Sequence, residues 1–362
     1  MEDISDLLQK GDFSSALELA LRIEDPFSRL EALSYIYQYV EGSEYREVVL
    51  GRMLEIIDSF EELLEKARAL ALIGYTLTIT GDKKGEYFFK KAHQVVRAIG
   101  YSLWKAEGYG YLAYYMAFAG KLGDAFYYYN IAYETAQNSS EPYSKVLSFL
   151  YRLAQQILES AEKIHSFEAK EFYELAAEIY EDIKRHLSAQ ELKKKASLIE
   201  IALEKGSKLV SEFLERRDVD NAVFVIKYLP DEEKVLALLE IAYWLFLHDK
   251  RGLAKGIVED AFRMAAERKI KPNDEKLKEI ALKFLKIGQI EEALTVGAII
   301  SDERIASRVF EKIALTYAKR GEKLKAITVA EAISDENIKR DVLKAIEGGG
   351  RCGTRVRTTG YW

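Results

Sequence analysis

Cysteine is nearly missing from this chain: Cys352 is the only one in 362 residues. A single thiol closes no internal disulfide framework and supplies no multi-thiolate zinc site, and such sparing use points to a reducing compartment. Histidine is almost as scarce, and His93, His165, His186 and His248 share no helix turn with a second ligand. A zinc or di-iron site needs His and carboxylates at helical spacings such as Glu-x-x-His, so no metal and no cofactor is expected. Long apolar runs are absent too. No stretch of about 18 uncharged apolar residues occurs, and the acidic start Met-Glu-Asp-Ile-Ser-Asp has neither the basic beginning nor the apolar core of a signal peptide. A soluble, cytoplasmic protein with no membrane partner is expected. Charge of one sign is not gathered anywhere: Lys and Arg alternate with Asp and Glu around a net charge of −6, which leaves no basic stripe for a phosphate backbone and counts against a nucleic-acid partner.

Proline is confined to positions 26, 142, 230 and 272, each just before a long apolar-periodic run. Pro is tolerated in the first turn of a helix and not in its interior, so these residues mark helix starts. Asp25 beside Pro26, and Asn273 and Asp274 after Pro272, are N-cap candidates. Between the marks, apolar residues recur at three and four, as in Leu63, Leu64, Ala67, Leu70, Ala71, Gly74 and Leu77, or Leu236, Leu239, Ala242, Tyr243 and Phe246. No alternating strand pattern and no Asn-Gly hairpin signal competes with them. The expected fold class is all-α. Sparse Asn and Gln beside abundant Glu and Lys is a bias seen in proteins from hot environments.

What the sequence does contain is repetition. From Gly288, the residues Ala293, Asp302, Phe310 and Ile313 recur 33 residues later as Ala326, Asp335, Leu343 and Ile346 after Gly321. The same offsets from Gly11 give Ala16, Asp25, Leu33 and Ile36, and a looser copy holds Ala222, Asp231 and Ile241. Each position has a physical reading. Gly ends the preceding helix, Ala lets two helices approach closely, Asp caps the second helix, and the Leu/Phe and Ile positions face its neighbour.

In the middle of the chain, residues 106–139 carry Leu112-Ala113, Gly120, Ala125, Tyr129 and Ala132. Residues 67–100 carry Ile73-Gly74, Gly81, Gly85 and Ala92, and a weaker copy uses Leu153-Ala154, Ala169 and Ala176. In spacing this resembles the tetratricopeptide-repeat family, with Tyr109 where that family has an early Trp and without its closing Pro. The resemblance implies an α-solenoid of antiparallel helix pairs wound as a right-handed superhelix, in which the first helix of each pair lines a concave groove. The positions matching groove-facing residues are Arg68 and Tyr75, then Glu107, Tyr114 and Phe118, then Tyr151 and Gln155. The charge-rich stretch 190–217 suggests a boundary between sub-arrays 1–189 and 190–347. Residues 348–362, opened by Gly348-Gly349-Gly350, have no helical period and read as a flexible tail, either a natural basic one or a cloning or frame remnant.

Three local patterns have ordinary explanations. Gly108-Tyr-Gly110-Tyr-Leu-Ala113 matches the dinucleotide fingerprint, but no predicted strand precedes it, so it reads as small residues at a tight helix contact. Asn138-Ser139-Ser140 reads as the helix-ending turn before Pro142. The carboxylates are so numerous that none is singled out as an acid or base. The aromatic run between Tyr101 and Tyr133 is less ordinary: Tyr114-Tyr115 and Tyr127-Tyr128-Tyr129 sweep a wide arc of two helices, so some rings must face outward. The expected function is a non-enzymatic adaptor that holds a partner protein or peptide on its concave surface. A regulatory module sensing a small molecule or peptide is the alternative, and self-association is compatible with both. An α-helical enzyme or an RNA-binding repeat protein fits less well.

Overall fold

The computed structural model describes residues 2–40 and 42–348, and these form helices joined by short turns, with no strand among them. The chain divides into two compact units, residues 1–198 and 199–362.

In the first unit the helices are α1 (Glu2–Gln9), α2 (Phe13–Leu21), α3 (Pro26–Tyr39), α4 (Ser43–Ser59), α5 (Leu63–Ile79), α6 (Lys84–Ala98), α7 (Ser102–Phe118), α8 (Leu122–Gln137), α9 (Tyr143–Lys163) and α10 (Ala169–Asp182). They pack as consecutive pairs, α1 on α2 through α9 on α10, and the first helices also pack on one another in the order α1, α3, α5, α7, α9. That second set of contacts makes a continuous layer of first helices. The next helix, α11 (His186–Lys205), runs through the boundary expected at 189/190 and through the division between the units.

The second unit repeats the scheme with α12 (Ser207–Glu215), α13 (Val219–Ile226), α14 (Asp231–Leu247), α15 (Arg251–Glu267), α16 (Asp274–Lys286), α17 (Ile290–Gly297), α18 (Glu303–Lys319), α19 (Lys323–Glu331) and α20 (Glu336–Gly348). Here α12, α14, α16, α18 and α20 form the first-helix layer, and one apolar core runs from Val235 to Ile346. Each unit is an all-α solenoid. The expected tail lies, beyond Gly348, outside the described residues.

The repeat positions do what their chemistry requires. Gly11, Gly288 and Gly321 take φ of 76°, 82° and 81°, the left-handed conformation that ends a helix without Cβ strain. Asp25 caps α3 by accepting the Ser28 N–H at 2.7 Å, and Asp302 caps α18 by accepting the Arg304 and Ile305 N–H groups. The Ala at offset five is fully buried in all three copies, as Ala16, Ala293 and Ala326. Pro26 opens α3, and Pro142 and Pro230 immediately precede α9 and α14. Gly108 and Gly110 lie inside α7, where an added Cβ would meet Val96 at 2.9 Å and Gln156 at 3.1 Å. Asn138 is the C-cap of α8.

Candidate binding surface

The first-helix layer of the first unit carries the candidate side chains at intervals of four, three and four. On α5 the stripe is Arg68, Leu72, Tyr75 and Ile79, and on α7 it is Glu107, Tyr111, Tyr114 and Phe118. At 3.6 residues per turn, such a stripe lies along one face of a helix. Because α5 packs on α7, the two stripes sit side by side.

Arg68 is the hinge between them. Its guanidinium lies 3.5 Å from the Phe27 ring centroid on α3 and 4.8 Å from that of Tyr111 on α7, a cation held between two π faces. Glu65 is its ion-pair partner at 3.9 Å. Its Nε is covered and meets no hydrogen-bond acceptor among the described residues. Beside it runs a chain of rings: Tyr75 to Tyr115 at 6.1 Å, Tyr115 to Tyr114 at 5.4 Å, Tyr114 to Phe118 at 4.5 Å. Tyr115 is buried, whereas Tyr75, Tyr114 and Phe118 are half-exposed. The Tyr114 hydroxyl donates to Glu159 of α9 at 2.8 Å.

The electrostatics follow from this partial burial. Loss of hydration raises the phenols of Tyr75 and Tyr111 above the ordinary tyrosine value. Tyr115 is pushed up to about 12, chiefly by burial and with Glu31 adding to it, while Arg68 opposes the shift. Burial, and then the Glu159 carboxylate that needs its proton, raise Tyr114. All these hydroxyls therefore remain neutral donors at physiological pH.

Four of the seven positions implied by the family resemblance, Arg68, Tyr75, Tyr114 and Phe118, lie in this one patch. Glu107 lies at its margin, paired with Arg152 at 3.6 Å. Tyr151 and Gln155 lie on α9, Gln155 one turn before Glu159. Tyr151 stands 6.3 Å from Tyr180 with Arg185 over its ring at 4.5 Å, and the Gln155 amide donates to the Tyr180 hydroxyl. They belong to a second cluster built with α10. Phe27, Tyr111, Tyr115 and Glu159 complete the patch and were not singled out as groove positions in the sequence. The four-three-four spacing carried a signal for Tyr111, and Glu159 falls at the matching step on α9.

A shallow cavity of about 320 Å³ opens beside the patch, lined in part by Trp104, Glu107, Lys145 and Arg152. His93 of α6 lies among the rings of Tyr109 on α7 and Tyr128 on α8, which stack at 5.9 Å. No group of three or more His, Cys, Asp and Glu among the described residues is arranged to hold a metal ion, and no helix among them is long and apolar enough to cross a membrane.

No family model matches the chain, and no curated protein matches it. Among solved structures, the chain is similar to Ton1535 from Thermococcus onnurineus NA1, with a TM-score of 0.57 and 23% identity over 95% of this chain and 98% of that one. At that identity the likeness is one of fold. A circular tandem repeat protein with novel repeat topology and enhanced subunit contact surfaces also matches, at 13% identity over 96% of this chain and 87% of that one, but its TM-score of 0.18 carries no weight.

Proposed function

We propose that this protein is a tetratricopeptide-like, non-enzymatic scaffold that holds a peptide or a segment of a partner protein on the first-helix face of its first unit. The observation that carries the reading is the run of half-exposed rings, Tyr75, Tyr114 and Phe118, shared by two consecutive first helices. A repeat array buries one continuous core and leaves a long face free. Tyrosine supplies large contact area with a polar tip at low entropic cost, which suits it to recognition. A photo-crosslinking residue at position 79, within the stripe but outside the ring cluster, should join a partner polypeptide in the native organism's extract. Tyr114→Ala with Phe118→Ala should abolish that product while leaving the helical circular dichroism spectrum intact. Capture that survives the double variant, or unfolding of the variant, would remove the support for this reading.

A second reading, a small-molecule sensor, rests on the cavity beside Trp104, Glu107, Lys145 and Arg152. A thermal-shift screen of metabolites separates the two, because only a bound small molecule would raise the melting temperature without any polypeptide present.

A further inference from the structure

We infer that the segment held on this face is basic and extended, with Lys or Arg side chains near both of its ends; the inference rests on the scaffold reading above. The charges of the face are not evenly satisfied. Its two arginines are occupied by the protein itself: Arg68 lies between Phe27 and Tyr111 and pairs with Glu65, and Arg152 pairs with Glu107. Its outer carboxylates are not. Glu31 on α3 and Glu159 on α9 are exposed, and neither forms an ion pair with a Lys or Arg among the described residues. The bond that Glu159 accepts comes from a neutral phenol, which leaves its charge uncompensated. Glu31 lies on α3, one helical turn beyond Phe27, and so on the α3 side of the ring-bearing helices α5 and α7, opposite the α9 side that carries Glu159.

The face therefore has a free negative charge at either end and a row of aromatic rings between. Ring faces attract cations and repel anions. An acidic segment would meet Glu31 and Glu159 unopposed and would have to draw both arginines from their present partners, whereas a basic segment displaces nothing. Three helix-to-helix steps separate α3 from α9. At about 8–10 Å per step and about 3.3 Å per extended residue, the span asks for about seven to nine residues.

The test uses the full chain and three fluorescein-labelled, terminally blocked peptides. Each has ten residues with a neutral Ser/Leu centre, and its outer two positions at each end are Lys, Gln or Glu. Fluorescence anisotropy at moderate salt should show the Lys peptide binding at least tenfold tighter than the Gln peptide, with the Glu peptide weakest. Glu31→Gln with Glu159→Gln should reduce that preference to about twofold, and Glu31→Lys with Glu159→Lys should reverse it. The same number of charges removed from the second unit, at Glu279 and Glu331, should change nothing; an equal loss there would mean that net charge alone draws the peptide and would overturn the inference. Binding of the Gln or Glu peptide as tight as that of the Lys peptide, and abolished by Tyr114→Ala with Phe118→Ala, would also overturn it while leaving the scaffold reading in place. No binding by any of the three would overturn both.

Discussion

Lys184, Arg217, Asp249 and Lys269 show how a single residue can hide a repeat. All four have φ between 54° and 60°, in the region where Gly11, Gly288 and Gly321 end their helices. The bonding is also the same: the Arg185 N–H reaches back to the Tyr180 carbonyl and the Asp218 N–H to that of Phe213, as the Asp12 N–H reaches Leu7. Self-similarity anchored on Gly therefore found the two ends of the chain and the turns at Gly81 and Gly120, and lost its thread between Lys184 and Lys269, because the stop signal there is made by side chains that merely tolerate it. A left-handed residue other than Gly is strained by about 1–2 kcal/mol, part of which Gly returns as greater freedom in the unfolded chain. Lys184→Gly should therefore stabilise the protein by about 0.5–1 kcal/mol, read as a raised urea midpoint; a loss of stability would mean that the Lys184 side chain contributes more than its backbone costs. His93 gives the other prediction at this scale. Burial among Tyr109 and Tyr128, with Arg97 nearby, holds its imidazole below the ordinary value of 6.5. The unfolded chain then binds the proton more readily than the folded one, so this contribution is complete above about pH 6.5 and declines as the pH falls from there toward the lowered value. The urea midpoint of wild type should drop between pH 7.5 and 5.5 by more than that of His93→Gln. Parallel curves would show that the imidazole is not the group responsible.

At the scale of elements, the pairing of helices depends on where side chains have been removed. Gly74 and Gly85 let α5 and α6 meet so closely that a Cβ on Gly85 would stand 2.8 Å from the Gly74 carbonyl oxygen and would overlap the Thr78 hydroxyl. Backbone cannot yield as a flexible side chain can, so Gly85→Ala should cost about 1–3 kcal/mol. Gly256 within α15 has nothing within 4 Å of the same position, and Gly256→Ala should stabilise by about 0.5–1 kcal/mol through helix propensity alone. Paired denaturation curves that failed to differ in sign would refute this account of the close approach. Helix existence, pairing and caps were legible in the sequence because caps, prolines and the three-four period are local. Which face a long helix presents was less so. Tyr151 and Gln155 matched groove positions, and on α9 both meet Tyr180 of α10 instead of the rings of α5 and α7. Phe27 and Glu31 belong to α3, outside the segment where the tetratricopeptide spacing was visible, and only the packing of α3 on α5 brings Phe27 against Arg68.

For the whole molecule, the consequence of nearest-neighbour packing is that repeats are interchangeable in kind though not in detail. Gly297 makes room for the large ring of Phe310, which would stand 2.9 Å from a Cβ there. One period later the same two positions are Ala330 and Leu343, a larger residue facing a smaller one. The fit is thus made at each junction between consecutive helix pairs, and neighbours are joined through a common set of contacts, α16 to α18 and α18 to α20, α17 to α18 and α19 to α20. Stability in such an array approximates a sum of repeat and interface terms. Excising residues 288–320 joins Ile287 to Gly321, so that Ala326, Asp335 and Ile346 take over the positions of Ala293, Asp302 and Ile313. The shortened chain should keep its ellipticity per residue at 222 nm and a cooperative melt, with a midpoint lowered by the loss of one interface. Excising residues 288–309 instead removes α17 and cuts α18 out of phase, and should abolish the cooperative transition of the second unit. If both deletions melted alike, the 33-residue period would be a pattern in the sequence without mechanical meaning, and the division of this protein into exchangeable helix pairs would have to be abandoned.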